Sequence, residues 1–274
     1  MRIGCHVSIR HGFYAAAKSA LVFGCGAFQY FPKNPRSLTV KSFDKADATK
    51  CKEFCIAHHL QSISHTPYPV NLATEHSELR KATMMSLLND LTIADACGSI
   101  GVVVHYGKYS GDDPLQGYRN VIQLLNDVLQ EWRGNAMILI ENQAAGMGTT
   151  IEELVQIRAL VEQPEYIGFC LDTCHAFAGG LWNGANWEQV ERIGKELDYW
   201  AHLKTIHLND SKYPYGSNKD FHANIGRGFI GEMYFREFLH SPYISHLPII
   251  LETPTLSSFP ISQEIRYVIE LANS

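Results

Sequence analysis

The chain has 274 residues, of which 46% are hydrophobic and 19% charged, which is enough apolar material to fill a sizeable core and points to a globular chain. Its formal charge of -5 argues against an obligate polyanion binder, unless bound divalent cations reverse the sign of the surface locally. The N-terminus lacks the apolar segment of a secretory signal and no later run is long enough to span a bilayer; the cysteines, seven in all, form no C-x-x-C pair, which points to reduced thiols in a cytoplasmic setting.

In chain order, short strand-like runs alternate with amphipathic stretches. The predicted strands are Arg2–Ser8, Ala27–Phe31, Gln61–His65, Gly101–His105, Ala136–Glu141, Ile167–Asp172, Thr205–Leu208 and Leu247–Glu252. Between them the spacing predicts helices over Phe43–Leu60, Glu78–Cys97, Pro114–Trp132, Trp187–Leu203 and Gln263–Ala272. Thr150-Ile151-Glu152-Glu153 reads as a capping box that opens another. Strand-helix pairs of this kind, with neither a linker nor a low-complexity tract, predict a single (β/α)8 TIM barrel over residues 1–274. An open doubly wound sheet is the alternative, disfavoured because no G-x-G-x-x-G follows the first strand. The one long irregular insertion, Asn209–Gly231, carries Asp220 and His222, and its length suggests a functional loop.

Four other predicted strands share a property with Gly168–His175, which reads G-F-C-L-D-T-C-H: they end in His or Glu, and a fifth, Thr205–Leu208, carries His207 next to its end. In a barrel, the C-terminal strand ends open onto one face, so His65, His105, Glu141, Asp172, His175, His207 and Glu252 would meet there, joined by Asp220 and His222 from the loop. Imidazoles and carboxylates without thiolates suit Zn²⁺ or Mn²⁺, and nine ligands are enough for two or three ions. Clustered ions suit displacement at phosphorus, where they activate water, screen the phosphate and stabilise the departing oxygen. No P-loop is visible and nothing singles out a Ser-His-Asp triad.

Several segments resemble the endonuclease IV family of apurinic/apyrimidinic endonucleases. They are H-T-P-Y-P-V-N-L from His65, I-E-N from Ile140, C-L-D-T-C-H-A-F-A from Cys170, H-L-N-D-S-K from His207 with G-S-x-x-D-x-H after it, and L-E-T-P from Leu251. The resemblance runs from His6 to the final helix. It implies a monomeric TIM barrel with a trinuclear zinc site, Mn²⁺ being acceptable at one position. The implied activity is cleavage of duplex DNA 5′ to an abasic site, leaving a 3′-hydroxyl, with 3′-blocked ends as further substrates.

Carried over by position, the resemblance gives His65, His105 and Glu141 one ion, and has Glu141 bridge to a second held by Asp172, His207 and Glu252. His175, Asp220 and His222 would hold the third, with Glu141 and Glu252 as the catalytic carboxylates. Arg36 and Tyr68 match positions that the family uses on DNA when it flips out the damaged nucleotide. The chain departs from the family at Phe221 (usually Arg), Tyr106 (usually Pro) and Pro69 (usually a larger aliphatic residue). The competing expectation is a sugar isomerase or epimerase of the xylose-isomerase-like barrels. It would use Glu141, Asp172, His207 and Glu252 for a single ion and leave the other five candidates without a role.

Overall fold

A computed structural model describes residues 1–274. Eight parallel strands close into a barrel: β1 (Arg2–His6), β2 (Ala27–Tyr30), β3 (Gln61–His65), β4 (Gly101–Val104), β5 (Met137–Glu141), β6 (Ile167–Asp172), β7 (Leu203–His207) and, after a ribbon described below, β10 (Pro248–Leu251). Each strand pairs with its sequence neighbour in the barrel, and β10 closes it against β1, with Arg2 opposite Pro248 and Cys5 opposite Leu251. At Gly4 the neighbouring strand β2 leaves no room for a side chain: a Cβ there would sit 1.6 Å from the carbonyl oxygen of Ala27.

The strands are buried on both faces, as a parallel sheet requires. Outward residues such as Ile3, Phe28, Val102, Ile138, Phe169 and Ile249 join the large core beneath the helices. A separate cluster of Ala27, Ile63, Val103, Leu139, Cys170 and Ile250 fills the barrel interior, one residue from each of six strands. Because side chains alternate across a strand, the residue two places further on also faces inward. In those six strands it is Gln29, His65, His105, Glu141, Asp172 and Glu252. The barrel is therefore plugged with hydrocarbon in its middle and lined with polar groups at its C-terminal mouth.

The surrounding helices are α1 (Phe13–Val22), α2 (Lys45–Ala57), α3 (Ser77–Cys97), α4 (Pro114–Glu131), α5 (Ile151–Leu160), α6 (Thr173–Ala178), α7 (Trp187–Glu196), α8 (Tyr199–His202), α9 (Glu232–His240) and α10 (Ile261–Asn273). The capping box forms: Thr150 Oγ1 accepts from the Glu153 amide and Glu153 Oε2 from the Thr150 amide, each at 3.3 Å. The helix predicted over Phe43–Leu60 is shorter at both ends, because Asp44 caps it and His59 takes a left-handed φ of 53°. The stretch predicted as one helix over Trp187–Leu203 is two, interrupted where Asp198 adopts φ 56°.

The insertion Asn209–Gly231 is not irregular throughout. Its start pairs with a segment in its second half as a small antiparallel ribbon, β8 (Asp210–Ser211) with β9 (His222–Ala223). Buried Asp210 holds the far end of the loop by accepting from the amides of Gly228 (2.9 Å) and Ile230 (3.0 Å). No helix is long and apolar enough to cross a membrane. All seven cysteines are buried and unpaired.

Candidate metal centre

The nine residues singled out by sequence meet at the C-terminal mouth of the barrel in three groups. His65, His105 and Glu141 form the first; Glu141, Asp172, His207 and Glu252 the second; His175, Asp220 and His222 the third. His65, Glu141, Asp172 and His207 stand on the last residues of their strands, and His105 and Glu252 one residue beyond. His175 is presented by α6, whose first turn Asp172 caps by accepting the His175 amide at 2.8 Å. One carboxylate thus ends β6 and orients the helix that carries the next imidazole. Asp220 and His222 are delivered by the ribbon. Asp220 sits at the rim with its side chain 56% exposed, but its Oδ1 faces inward between His175 and His222.

The protonation pattern of the imidazoles follows from their partners. A carbonyl oxygen can only accept, so a ring nitrogen beside one must carry the proton. His65 Nδ1 donates to the Thr66 carbonyl (2.8 Å), His175 Nδ1 to that of Asn142 (3.0 Å), and His222 Nδ1 to that of Glu252 (3.3 Å). The Nε2 atoms of these rings then face the pocket. His175 Nε2, His222 Nε2 and Glu141 Oε2 are buried without any hydrogen-bond partner, although partners of the right kind lie close by. Buried polar atoms left in this state are rare unless something else satisfies them.

The distances identify what would do so. Two atoms bound to one tetrahedral zinc at about 2.0–2.1 Å lie roughly 3.3–3.4 Å apart. Glu141 Oε2 is 3.1 Å from His105 Nε2 and 3.6 Å from His65 Nε2. Asp220 Oδ1 is 3.0 Å from His175 Nε2 and 3.2 Å from His222 Nε2. His207 Nδ1 is 2.9 Å from Glu141 Oε1 and 3.2 Å from Glu252 Oε2. Glu141 therefore turns one oxygen to the first group and the other to the second. The donor set fits divalent zinc in number, chemistry and spacing.

With protons in place of cations, the same crowding perturbs every group. Burial lowers the His105 pKa to about 4. Burial also opposes charge on His222, but the Asp172 carboxylate and the Asp220 contact carry it up to about 9. Glu252 is pushed up by burial and held down at about 2 by the imidazoles of His207 and His65. His175 and His207 are raised well above the ordinary imidazole range despite burial, by Asp172 at His175 and by Glu252 and Glu141 at His207. Clustered, strongly perturbed titratable groups in a cleft mark a functional site.

The structure also brings two thiols near these groups, Cys170 beside Glu141 and His207, and Cys174 beside Asp172 and His222. Burial pushes both up to about 12 in the metal-free protein, so without a bound cation they are protonated thiols. Sequence reasoning missed Gln29 and His6, which lie at the same level of the barrel. Gln29 is fully buried between His207 and Glu252, and His6, opposite it in register, packs on Phe31 at 4.6 Å between ring centroids. The inward alternation along β1 and β2 was the signal that would have found them.

Two cavities of about 610 and 650 Å³ open over the centre and share His65, Tyr68, His105, His175 and Asp220. Tyr68 stands at their rim, 70% exposed, with its ring edge-on to Phe31 at 5.3 Å. Its amide donates to the Pro35 carbonyl at 2.8 Å, which ties the Tyr68 loop to the one bearing exposed Arg36. Of the departures from the expected family pattern, Tyr106 is buried in the core, whereas Pro69 and Phe221 are exposed.

Comparison with known proteins places this geometry among relatives. Residues 15–272 match the family described as xylose isomerase-like TIM barrel. "Probable endonuclease 4" of Symbiobacterium thermophilum is 42% identical over 270 residues, covering 97% of this chain and 98% of that protein. The namesake from Halothermothrix orenii is 36% identical, covering 94% and 95%. The crystal structure of endonuclease IV from Thermus thermophilus superimposes with a TM-score of 0.87 at 32% identity, covering 100% of this chain and 99% of that one.

Proposed function

The chain belongs to the xylose isomerase-like TIM barrel family and within it to the endonuclease IV nucleases, and we propose that it hydrolyses the phosphodiester 5′ to an abasic site in duplex DNA, leaving a 3′-hydroxyl, through three zinc ions. The observation that carries this reading is the sharing of Glu141 between two ligand groups with a third group beside them, its His222 Nε2 lying 3.7 Å from Asp172 Oδ2. A sugar isomerase with one ion needs only the Glu141, Asp172, His207 and Glu252 group. It gives no reason for His65, His105, His175, Asp220 and His222 to aim ring nitrogens or a carboxylate at the same space.

In this reading His65, His105 and Glu141 would hold the first ion, Glu141, Asp172, His207 and Glu252 the second, and His175, Asp220 and His222 the third. Bound zinc supplies Lewis acidity: it lowers the pKa of water, screens the phosphate and stabilises the departing oxygen. The protein's own work is to fix the geometry. Thr66, Asn142 and Glu252 hold three imidazoles by their backbone carbonyls, so their Nε2 lone pairs need no reorganisation when substrate arrives. Tyr68 and Arg36, on linked loops at the rim, engage the bent duplex, with Tyr68 offsetting the unstacking of a flipped nucleotide.

The test is a duplex with one abasic analogue, incubated in mild chelator and resolved on a denaturing gel, combined with metal analysis. A single nick with a polymerase-extendable 3′ end and about three zinc ions per chain are expected. One ion per chain, ketose turnover and intact DNA would overturn the reading in favour of an isomerase.

A further inference from the structure

His207 differs from the other oriented imidazoles. His65, His175 and His222 each give their Nδ1 proton to a backbone carbonyl and turn Nε2 to the pocket. His207 is reversed: its Nδ1 faces Glu141 and Glu252, and its Nε2 lies 2.8 Å from Gln29 Oε1. A backbone carbonyl comes with the fold, whatever the sequence. A side-chain amide is a particular residue choice.

The amide at Gln29 has only one orientation available. It is fully buried on β2, and one of its ends lies 2.6 Å from Glu252 Oε1. An ionised carboxylate accepts only, so that end is the NH₂ group. The amide oxygen must then face His207, and His207 Nε2 must carry a proton to give it. Both ends of Gln29 thus act on residues of one ligand group, the one holding Glu141, Asp172, His207 and Glu252.

We propose that Gln29 is a positioning residue of the metal centre: it keeps the proton on His207 Nε2, leaving Nδ1 to ligate, while its NH₂ group aims Glu252 at the same ion. This rests on the zinc reading above. Partners that orient a ligating imidazole or carboxylate in this way generally contribute 10–100-fold in metal affinity or activity. Gln29→Leu removes both hydrogen bonds at similar volume and leaves all nine ligands in place.

Two measurements on the full-length protein without DNA test the proposal. In zinc titrations against a competing chelator, Gln29→Leu is expected to weaken one ion by about 10–100-fold and leave the others near wild type. Unchanged zinc affinity would overturn it. The second needs no variant: in the wild-type protein loaded with ¹¹³Cd, ¹⁵N spectra should place the metal coupling of His207 on Nδ1 and the proton on Nε2. Coupling through Nε2 would overturn the proposal even if Gln29→Leu failed to fold. Incision of abasic duplex by the wild type is read separately. Normal incision with Gln29-independent zinc affinity rejects this inference alone, whereas Gln29-dependent zinc affinity without incision rejects only the nuclease reading.

Discussion

Glu264 offers the most direct test of how the fold holds the two loops that complete the site. It lies in the first turn of α10, 1% exposed, and its carboxylate accepts from Ile225 N (2.9 Å), Asn224 Nδ2 (2.8 Å) and Thr253 Oγ1 (2.6 Å). Asn224 and Ile225 follow His222, and Thr253 follows Glu252, so a single buried carboxylate ties together the backbones that deliver two of the nine candidates. In Glu264→Gln the remaining oxygen can still serve Ile225. The new NH₂ group meets Asn224 Nδ2, donor against donor, while the Thr253 hydroxyl can rotate and accept. The loss is therefore about one charge-assisted hydrogen bond and one mispaired buried donor, roughly 2–4 kcal/mol together. For a domain of this size that corresponds to a Tm lower by roughly 4–12 °C. The assay is thermal unfolding of the metal-free protein followed by circular dichroism, with bound zinc and the KM and kcat of incision measured after reloading. A Tm within about 2 °C of wild type would refute the latch, because a buried carboxylate with three partners cannot be neutralised without consequence.

Four further outcomes are expected. Glu141→Gln should abolish incision while leaving the far-UV spectrum unchanged, and an active variant would exclude the bridging role. Tyr68→Ala should weaken binding to abasic duplex by about 1–3 kcal/mol, the range for stacking on an aromatic ring, and more than to intact duplex; equal losses would remove its role at the lesion. In the metal-free protein the His222 pKa is raised from 6.5 to about 9, so its contribution to stability is complete below pH 6.5 and is lost as pH rises through 9. Zinc must displace that proton, so zinc affinity should climb over the same window in which metal-free Tm falls, and parallel trends would contradict the assignment. Lys33 and Asp90 form a buried pair at 2.6 Å beneath the Arg36 loop, where burial lowers the lysine and raises the aspartate to about 7. Lys33→Met alone should cost about 3–5 kcal/mol in urea unfolding and Lys33→Met with Asp90→Leu much less; a double variant as unstable as the single would refute this.

The alternation of strand and helix signals determined the barrel, because most of the strands are short, largely apolar runs closed by a polar residue, and that pattern is local. Six of the nine candidates were legible for the same reason: a His, Asp or Glu at the end of a buried strand is visible in one dimension, whereas His175 followed from its place just after Asp172, and Asp220 and His222 from the long insertion that carries them. Helix limits were less so. The left-handed turns at His59 and Asp198 end helices that the apolar spacing would have continued.

What only the tertiary structure decided is how those residues divide and point. Whether Glu141 serves one ligand group or two depends on where its two oxygens lie relative to β3, β4, β7 and the ribbon, a matter of barrel closure that no local pattern encodes. Gln29 and His6 went unread because an amide and an imidazole on early strands look ordinary until the barrel closes through β10 and brings Glu252 and His207 within hydrogen-bonding reach of Gln29. Sequence sets which groups each strand carries to the mouth. Closure of the sheet sets which of them share a proton or a cation, since those energies fall off over a few ångströms in space and take no account of separation along the chain.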